Sequence, residues 1–568
     1  MRLSLQCRRV RLVAIASALV MSSGSVIAQG GQAPMAAAFQ SAAAQLAAQP
    51  DSNGAVRRLS IDHAVTLALE QNLGIRIQRI DPQIQDVGVA QAKSLWTPSL
   101  TSILSRQSQT QQSTSALAGG TTSILNNTLG TQVGINQALP WGATYSAAFN
   151  NARYTSTNLF ATYSPQLIST VNVQYSQPLV RNFSIDQIRQ QVQSSRKLRE
   201  LSDIQLQAVV TQVVRKVKNA YWDLSYAIAS LKAQQQSLAL AQRSLRENQR
   251  RVEIGMMAPI DLLQARAEVA STEQGVIIAD AAIKAAQDNL RALMLDPGTS
   301  DFWTVSFDPT DAPAFSAREV DVDAAVRNAL DKRSDLRSAQ NSLAQSDINI
   351  RYFHNQVLPD VSAQFNYITT AAGGTQLSPV DFAAIASGGP ANRSIVSDRG
   401  FGAVLGDLFG STYPNWTVGV QIGYPLGSST AQANLARARL QYEQAQAQMK
   451  SLELQVATEV RASGRNVQTN AQRVQSALTS RELQEEKLEG EEKKFAAGLS
   501  SPFFVIQAQR DLSIARVAEI QAISDYNKSL VDFDAVQLVP LTVPVGGGIT
   551  TAGSGALQTG GSAVIRQQ

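Results

Sequence analysis

Few residues in this 568-residue chain have the types and spacing that chemistry needs. The two histidines, His63 and His354, each lie near the first helices of one half, at non-equivalent positions. Surface or packing roles are expected for both, rather than a metal or catalytic pair. Asp and Glu are spread along helical stretches in mixed-sign runs such as Glu485 to Lys494, the usual pattern of a solvated face. No Gly-rich Lys-Ser/Thr phosphate loop occurs. Met256-Met257 has thioethers suited to a soft metal such as copper, but turn packing is the expected role. Cys7 is the one cysteine, and it precedes the apolar part of a leader sequence. The expectation is therefore a protein without cofactor, metal or enzymatic activity.

That leader carries Arg2, Arg8, Arg9 and Arg11, an apolar run from Leu12 to Met21, and the small-residue site Val26-Ile27-Ala28 before Gln29. It has the form of a secretory signal at residues 1–28, too short to remain as a spanning helix. Cys7 would leave with it, so the mature chain has no disulfide or thiolate chemistry. Removing the four arginines from the formal +5 leaves +1, and no case for nucleic acid survives. Charged residues make up 16% of the chain, against about 25% in soluble domains. No later run of about twenty apolar residues exists, so any crossing of a membrane would use strands.

Long helices dominate what must position any site. Val210, Val217, Leu224, Leu231, Leu238, Leu245 and Val252 recur every seven residues, with Val213, Ala220, Ala227, Gln234, Ala241 and Asn248 between them. This 3-4 spacing marks a helix seam with left-handed supercoiling. Seen from Ser184 to Gly255, the helix would be about 105 Å long at 1.5 Å per residue. Its small and polar seam residues suit a wall of many helices, while a two-stranded rod stays open. Ser184 with Gln187, and Ser429 with Gln432, have the capping-box spacing. In the second half Val460, Val467, Val474, Leu488 and Phe495 continue such a seam, interrupted by Glu453 and Arg481.

The two halves repeat each other. Asp62, Ala64, Val65, Ala68, Leu69 and Arg76 match Asp323, Ala325, Val326, Ala329, Leu330 and Arg337 at a constant offset, which still holds at Pro98 and Pro359. Pro178-Leu179 matches Pro425-Leu426, and Gly255, Pro259 and Gln264 match Gly498, Pro502 and Gln507. Rigid helices and variable strand loops in a tandem duplication explain offsets that shrink mostly between Pro98 and Pro178 and little after them. There the period becomes two: Val171, Val173 and Tyr175, then Val361, Ala363, Phe365 and Tyr367, then Trp416, Val418, Val420 and Ile422. A membrane barrel and a half-buried soluble sheet both show this alternation. Two strands per repeat are expected, with Gln111 to Asn127 and Ala371 to Phe409 as loops. Thr131 to Ala152 is either an extra pair of barrel strands or a surface ribbon. Four strands cannot close a barrel, and open edges are not tolerated in lipid, so a membrane reading needs several chains.

The duplicated helix–strand–strand–long-helix unit, the SQPL and GYPL steps, and the turns GMMAPIDLLQA and GLSSPFFVIQA resemble the TolC-type outer membrane efflux family over about Leu59 to Val539. The resemblance implies an α+β membrane protein, a homotrimer with a 12-stranded β-barrel in outer membrane lipid continued by a 12-helix periplasmic α-barrel tunnel. It also implies a passive channel for efflux or type I secretion. A periplasmic adaptor (membrane fusion protein) would dock at its tip, with an inner-membrane transporter as indirect partner. A periplasmic adaptor itself, or a secreted coiled-coil protein, are the alternatives. The expected organisation is a signal peptide at 1–28, a flexible leader at 29–58, and a first repeat at 59–295. That repeat holds strands at about 97–177 and a hairpin at 184–293. A linker at 296–319 follows, then a second repeat at 320–540 with strands at about 358–425 and a hairpin at 429–538, and a disordered tail at 541–568.

Six residues mark the expected docking turns: Gly255, Pro259 and Asp261, with Gly498, Pro502 and Gln507. Gly ends one helix and Pro opens the next, which ordinary helix turns also do. Some members of the family carry acidic residues after the second Gly, where this chain has Phe504 and Gln507. Phe503 or Phe504 would form an apolar gate around a three-fold axis, or else pack between helices.

Overall fold

Two copies of one unit follow each other in the computed structural model, which describes residues 56–112, 123–298, 302–311, 315–381, 383, 392–427 and 429–541. The expected signal peptide, most of the leader and all but the first residue of the tail lie outside the described residues.

The first copy opens with β1 (Val56–Leu59), α1 (Ile61–Gln71) and α2 (Leu73–Ser94). Ser60 and Asn72 cap the two helices by accepting the backbone N–H groups of His63 and Ile75, which satisfies donors left free in a first turn. Four strands follow: β2 (Ser99–Gln112), β3 (Ser123–Ala138), β4 (Thr144–Ser156) and β5 (Tyr163–Pro178). Then α3 (Gln187–Glu253) and α4 (Pro259–Met294) form the first hairpin. Its 67-residue arm is about 100 Å long at 1.5 Å per residue.

After β6 (Ser306–Pro309), the second copy runs through α5 (Val322–Lys332), α6 (Ser334–Gln356), β7 (Asp360–Leu377), β8 (Ile395–Arg399), α7 (Phe401–Phe409) and β9 (Pro414–Gly423). It ends in α8 (Thr430–Ala496) and α9 (Pro502–Val536). Ser429 and Gln432 form the full capping box expected of them. At the first long helix the cap is Asp186, not Ser184: the Asp186 carboxylate accepts from the Arg189 backbone N–H and pairs with its side chain. An ionised acid at a helix start also gains from the helix dipole, which a serine does not.

Several expectations for the connecting segments need correction. Residues 56–58 belong to β1 rather than a leader, and the linker contains β6. These two strands pair in parallel, Val56 opposite Ser306 and Leu59 opposite Pro309. They seal the first apolar cluster, where Leu59, Phe302, Val305 and Phe307 pack with Val217, Tyr221 and Leu224 of α3 and with Leu290 and Met294 of α4. The matching cluster of the second copy joins Ala325 and Ala329 of α5 to Val456, Val460, Val467 and Val474 of α8 and to Tyr526 and Phe533 of α9. Toward the tip, α3 buries Ala233, Ser237, Ala241 and Asn248. Leu231, Leu238 and Leu245 of its heptad are only half-buried within the single chain.

The strand count also differs. Among the described residues one antiparallel sheet runs β2-β3-β4-β5-β7, with β8 and β9 both paired to β7. Residues 131–152 lie within β3 and β4, so the first copy supplies four strands instead of two. Both expected loops are partly structured, since β2 and β3 extend into the first while β7, β8 and α7 occupy parts of the second. Alternation alone could not reveal this, because a ribbon and a sheet strand have the same period.

Candidate functional site

The tips of the two hairpins are built by the same local chemistry. Gly255 (φ +75°) and Gly498 (φ +77°) take the left-handed conformation that L side chains avoid. Around Gly255, the Gly255 N–H donates to Val252 O (3.0 Å) and the Met256 N–H to Arg251 O (2.8 Å). Around Gly498, the Gly498 N–H donates to Phe495 O (3.1 Å) and the Leu499 N–H to Lys494 O (2.8 Å). Both are Schellman endings, which satisfy the last carbonyls of a helix. Pro259 and Pro502 open the return helices, where their missing N–H costs nothing.

Asp261 sits in the first turn of α4, where a carboxylate gains from the helix dipole. Gln507 is partly buried and lies along its own helix: its Nε2 donates to Asp511 Oδ1, four residues on, at 2.9 Å. The hydrogen bond from Lys487, more than Gln507, holds the Asp511 carboxyl below the usual carboxylate range. Phe503 and Phe504 are edge-to-face, ring centroids 5.5 Å apart, and both are more than half exposed in the single chain. The neighbours Val505 and Ile506 are buried. So the chain itself packs the two residues after the phenylalanines and leaves both rings free for something outside it.

Two links between the hairpins had no separable sequence signal. The Arg251 guanidinium lies 4.2 Å over the Phe495 ring, joining the ends of the two long arms. The Arg510 guanidinium reaches Glu268 at 2.5 Å, and the Glu268 side chain is buried. Each partner is more than two hundred residues from the other, so neither pair shows in a local pattern.

At the opposite end of the hairpins lies the sheet. Its register puts one apolar set on one face: Ile135 lies opposite Leu100, Val133 opposite Phe149, Tyr145 opposite Tyr175, Val173 opposite Tyr367, and Phe365 opposite Val418. The other face carries residues such as Gln132, Asn150, Asn172, Asn366 and Gln421. The apolar side chains are largely exposed at the two edges, Leu100 and Leu104 on β2 and Trp416, Val418, Val420 and Ile422 on β9. Exposed apolar area of this extent marks a surface made for an apolar environment. Part of it is covered by α7, whose Val404 and Leu408 pack on Ala371, Phe149, Leu167 and Val171. Gly373 makes room for this helix, since a Cβ there would stand 2.5 Å from Val404 Cγ2.

Among the described residues, no helix is long and apolar enough to cross a membrane, and no cluster of His, Cys, Asp and Glu could hold a metal ion.

The sequence matches the family model described as outer membrane efflux protein over residues 64–294 and 325–536. No curated protein sequence matches it significantly. Solved structures share the fold at low identity. CusC, described in terms of transmembrane channel formation, aligns with a TM-score of 0.60 at 14% identity, covering 87% of this chain and 97% of that one. The outer membrane channel CmeC of Campylobacter jejuni aligns at 0.56 and 15% identity, covering 84% and 85%. The outer membrane protein VceC of Vibrio cholerae aligns at 0.57 and 15% identity, covering 84% and 96%.

Proposed function

The chain belongs to the outer membrane efflux protein family, and from that premise we propose that it is the outer membrane channel of a tripartite efflux or type I secretion system. The observation that carries this reading is the joining of two unlike surfaces in one chain. A sheet with an apolar face and open edges continues into hairpins about 100 Å long with bland, half-polar walls. The sheet suits lipid, and the hairpins suit the aqueous space beneath it.

The open edges call for further copies, because unpaired backbone is not tolerated in hydrocarbon. Three copies would place twelve long helices, four per chain, around one tunnel. Cargo passes through without chemistry, and pumping belongs to the inner-membrane transporter. The twelve-stranded barrel that the family resemblance implies would need four spanning strands from each chain.

The periplasmic adaptor docks at the tip, on the turns of Gly255, Pro259 and Asp261 and of Gly498, Pro502 and Gln507. The half-exposed rings of Phe503 and Phe504 line the mouth, where three copies form an apolar constriction. Cell fractionation with heat-modifiable gel mobility tests the channel reading. Recovery of the protein solely in the soluble periplasm would overturn it. For the tip, Gly255→Pro or Gly498→Pro is expected to abolish adaptor crosslinking and export while trimers persist. Unchanged export in both variants would reduce the turns to ordinary connections. Phe504→Asp is expected to raise conductance and cation selectivity in planar bilayers, and no change in a correctly assembled trimer removes Phe504 from the gate.

A further inference from the structure

Resting on the trimeric channel reading, we propose that each chain places six strands in the barrel wall, giving eighteen strands in place of twelve, with β2 of one copy pairing to β9 of a second copy of this chain.

Three observations support this. First, the hairpin β3–β4 is bonded along both sides. β2 pairs with β3 without a break from Ser99 opposite Asn136 to Gln112 opposite Ser123. β4 pairs with β5 from Thr144 opposite Ser176 to Tyr154 opposite Gln166. A surface ribbon would instead leave β2 and β5 paired with each other.

Second, the turn of that hairpin is seated on the entry to the first long helix. Ala143 is fully buried, and a Cβ on Gly142 (φ +94°) would stand 2.7 Å from Arg189 Nη2 and 2.8 Å from Asn182 O. Arg189 itself donates to the carbonyls of Asn182, Phe183 and Ser184. Gln137, one residue from the end of β3, donates to Trp96 O at 2.7 Å. The hairpin is thus held at the same junction that carries β5 into α3.

Third, the alternation continues through the half of the hairpin next to its turn, where Val133, Ile135, Tyr145, Ala147 and Phe149 share one face, while Thr131, Asn151 and Arg153 end that apolar band toward the far end of the strands. Val133 and Phe149 continue the apolar face while Gln132 and Asn150 continue the polar one. A ribbon lying on the outside would not need to keep both faces in step with a lipid-facing and a lumen-facing surface.

The closing partner follows from direction. Six strands in antiparallel succession leave β2 and β9 running oppositely. A β2 of one copy therefore meets a β9 of the next as an antiparallel pair, and the arrangement repeats head to tail around a ring. Leu100 and Leu104 on one edge and Val418 and Val420 on the other are exposed in the single chain and lie on the same apolar face. At equal tilt, barrel diameter scales with strand number, so eighteen strands enclose about 1.5 times the diameter and about 2.3 times the cross-section of twelve.

Electron cryomicroscopy of the full-length assembly in lipid nanodiscs decides the count. Eighteen strand sections around the axis are expected, with residues 123–156 in the wall. Twelve sections with those residues outside the wall would overturn the inference and leave the channel reading standing. No trimeric barrel would overturn that reading as well. A second measurement uses single cysteines in intact outer membranes and a hydrophilic maleimide. Labelling of Gln132→Cys and its loss at Val133→Cys are expected, and equal labelling at both positions would place the hairpin outside the wall and overturn the proposal.

Discussion

The apolar clusters at the middle of the two hairpins have the same helices and opposite solutions. Position 221 of α3 is tyrosine, and its counterpart in α8 is Gly464. Position 283 of α4 is isoleucine, and its counterpart in α9 is Tyr526. Yet both tyrosines do the same work. The Tyr221 hydroxyl donates to Asp311 Oδ2 (2.9 Å), with Leu59 O 3.0 Å away, and accepts from the Asp311 N–H. The Tyr526 hydroxyl donates to Ser316 O (2.8 Å) and accepts from the Arg318 N–H. Tyr221 holds the segment after β6 beside the end of β1, and Tyr526 holds the segment that enters the second copy, from opposite arms of the hairpin. Gly464 is small because Val322 of α5 occupies the space, with a Cβ there only 2.8 Å from Val322 Cγ2. In both copies a tyrosine hydroxyl holds a neighbouring extended segment, but the residue that supplies it sits on different arms.

A similar trade occurs at the start of the second short helix. Asn72 caps α2 and donates to Leu293 O at 2.8 Å. Its counterpart Arg333 makes no such cap but reaches the equivalent carbonyl, Val536 O, at 3.3 Å. The fully buried guanidinium also pairs with Asp335 and Glu459.

Breaking that second contrast should give the largest effect. Arg333→Ala strands two half-buried carboxylates and is expected to cost about 3–5 kcal/mol, whereas Asn72→Ala loses a cap worth about 0.5–2 kcal/mol. Urea unfolding of the detergent-solubilised protein checks the order, and equal losses would show that the two positions carry the same load.

Next come the tyrosines. Tyr221→Phe and Tyr526→Phe each leave buried partners without a hydroxyl, at about 1–3 kcal/mol. Tyr221→Phe should also change the alkaline limb. Burial, the largest cause, pushes the Tyr221 hydroxyl up from 10.0 to about 12. A raised folded value means that its stabilisation is complete below pH 10.0 and is lost as pH climbs toward about 12. Melting temperature scanned across that range should fall in the parent and flatten in Tyr221→Phe. The adjacent Trp222, edge-on to Tyr221 at 5.7 Å, offers a local fluorescence signal.

Gly464→Ala sharpens the size half of the comparison. Overpacking against Val322 costs about 1–3 kcal/mol, offset by about 1 kcal/mol of helix propensity. A net loss is expected, and Val322→Ala in the same chain should restore stability. If Gly464→Ala stabilises the protein, the glycine was not kept for space.

The smallest effect belongs to the tip. Burial, and after it the facing Glu247, raise the Glu492 carboxyl above its ordinary range against the pull of Arg243. Its contribution is therefore present at acid pH and lost as pH rises through the folded value, so the charge opposes hairpin packing at neutral pH. Glu492→Gln should raise the melting temperature slightly at neutral pH and leave it unchanged at acid pH. An identical shift at both would remove the charge as the cause.

Much of this architecture is carried by short-range pattern. The seven-residue seams, the Ser429 capping box, the Gly and Pro of both turns and the duplicated offsets are all local or self-similar features. A helix period, a left-handed Gly and a cap depend on neighbours within one turn or two, and so they can be read along the chain. Other features depend on partners hundreds of residues away. β1 meets β6 with Val56 opposite Ser306, and the Ile61 N–H just after β1 reaches Asp311 just after β6, 250 residues away. The hairpin of residues 131–152 enters the sheet because both its flanks find register there, and Arg510 finds Glu268 on the other hairpin. Strand alternation specifies which face is apolar but not which strand lies alongside, since every strand here offers the same period of two. That choice, the exchange of tyrosines between arms and the exposure of Phe503 and Phe504 were decided by which elements compete for one space, and only the assembled tertiary structure contains that information.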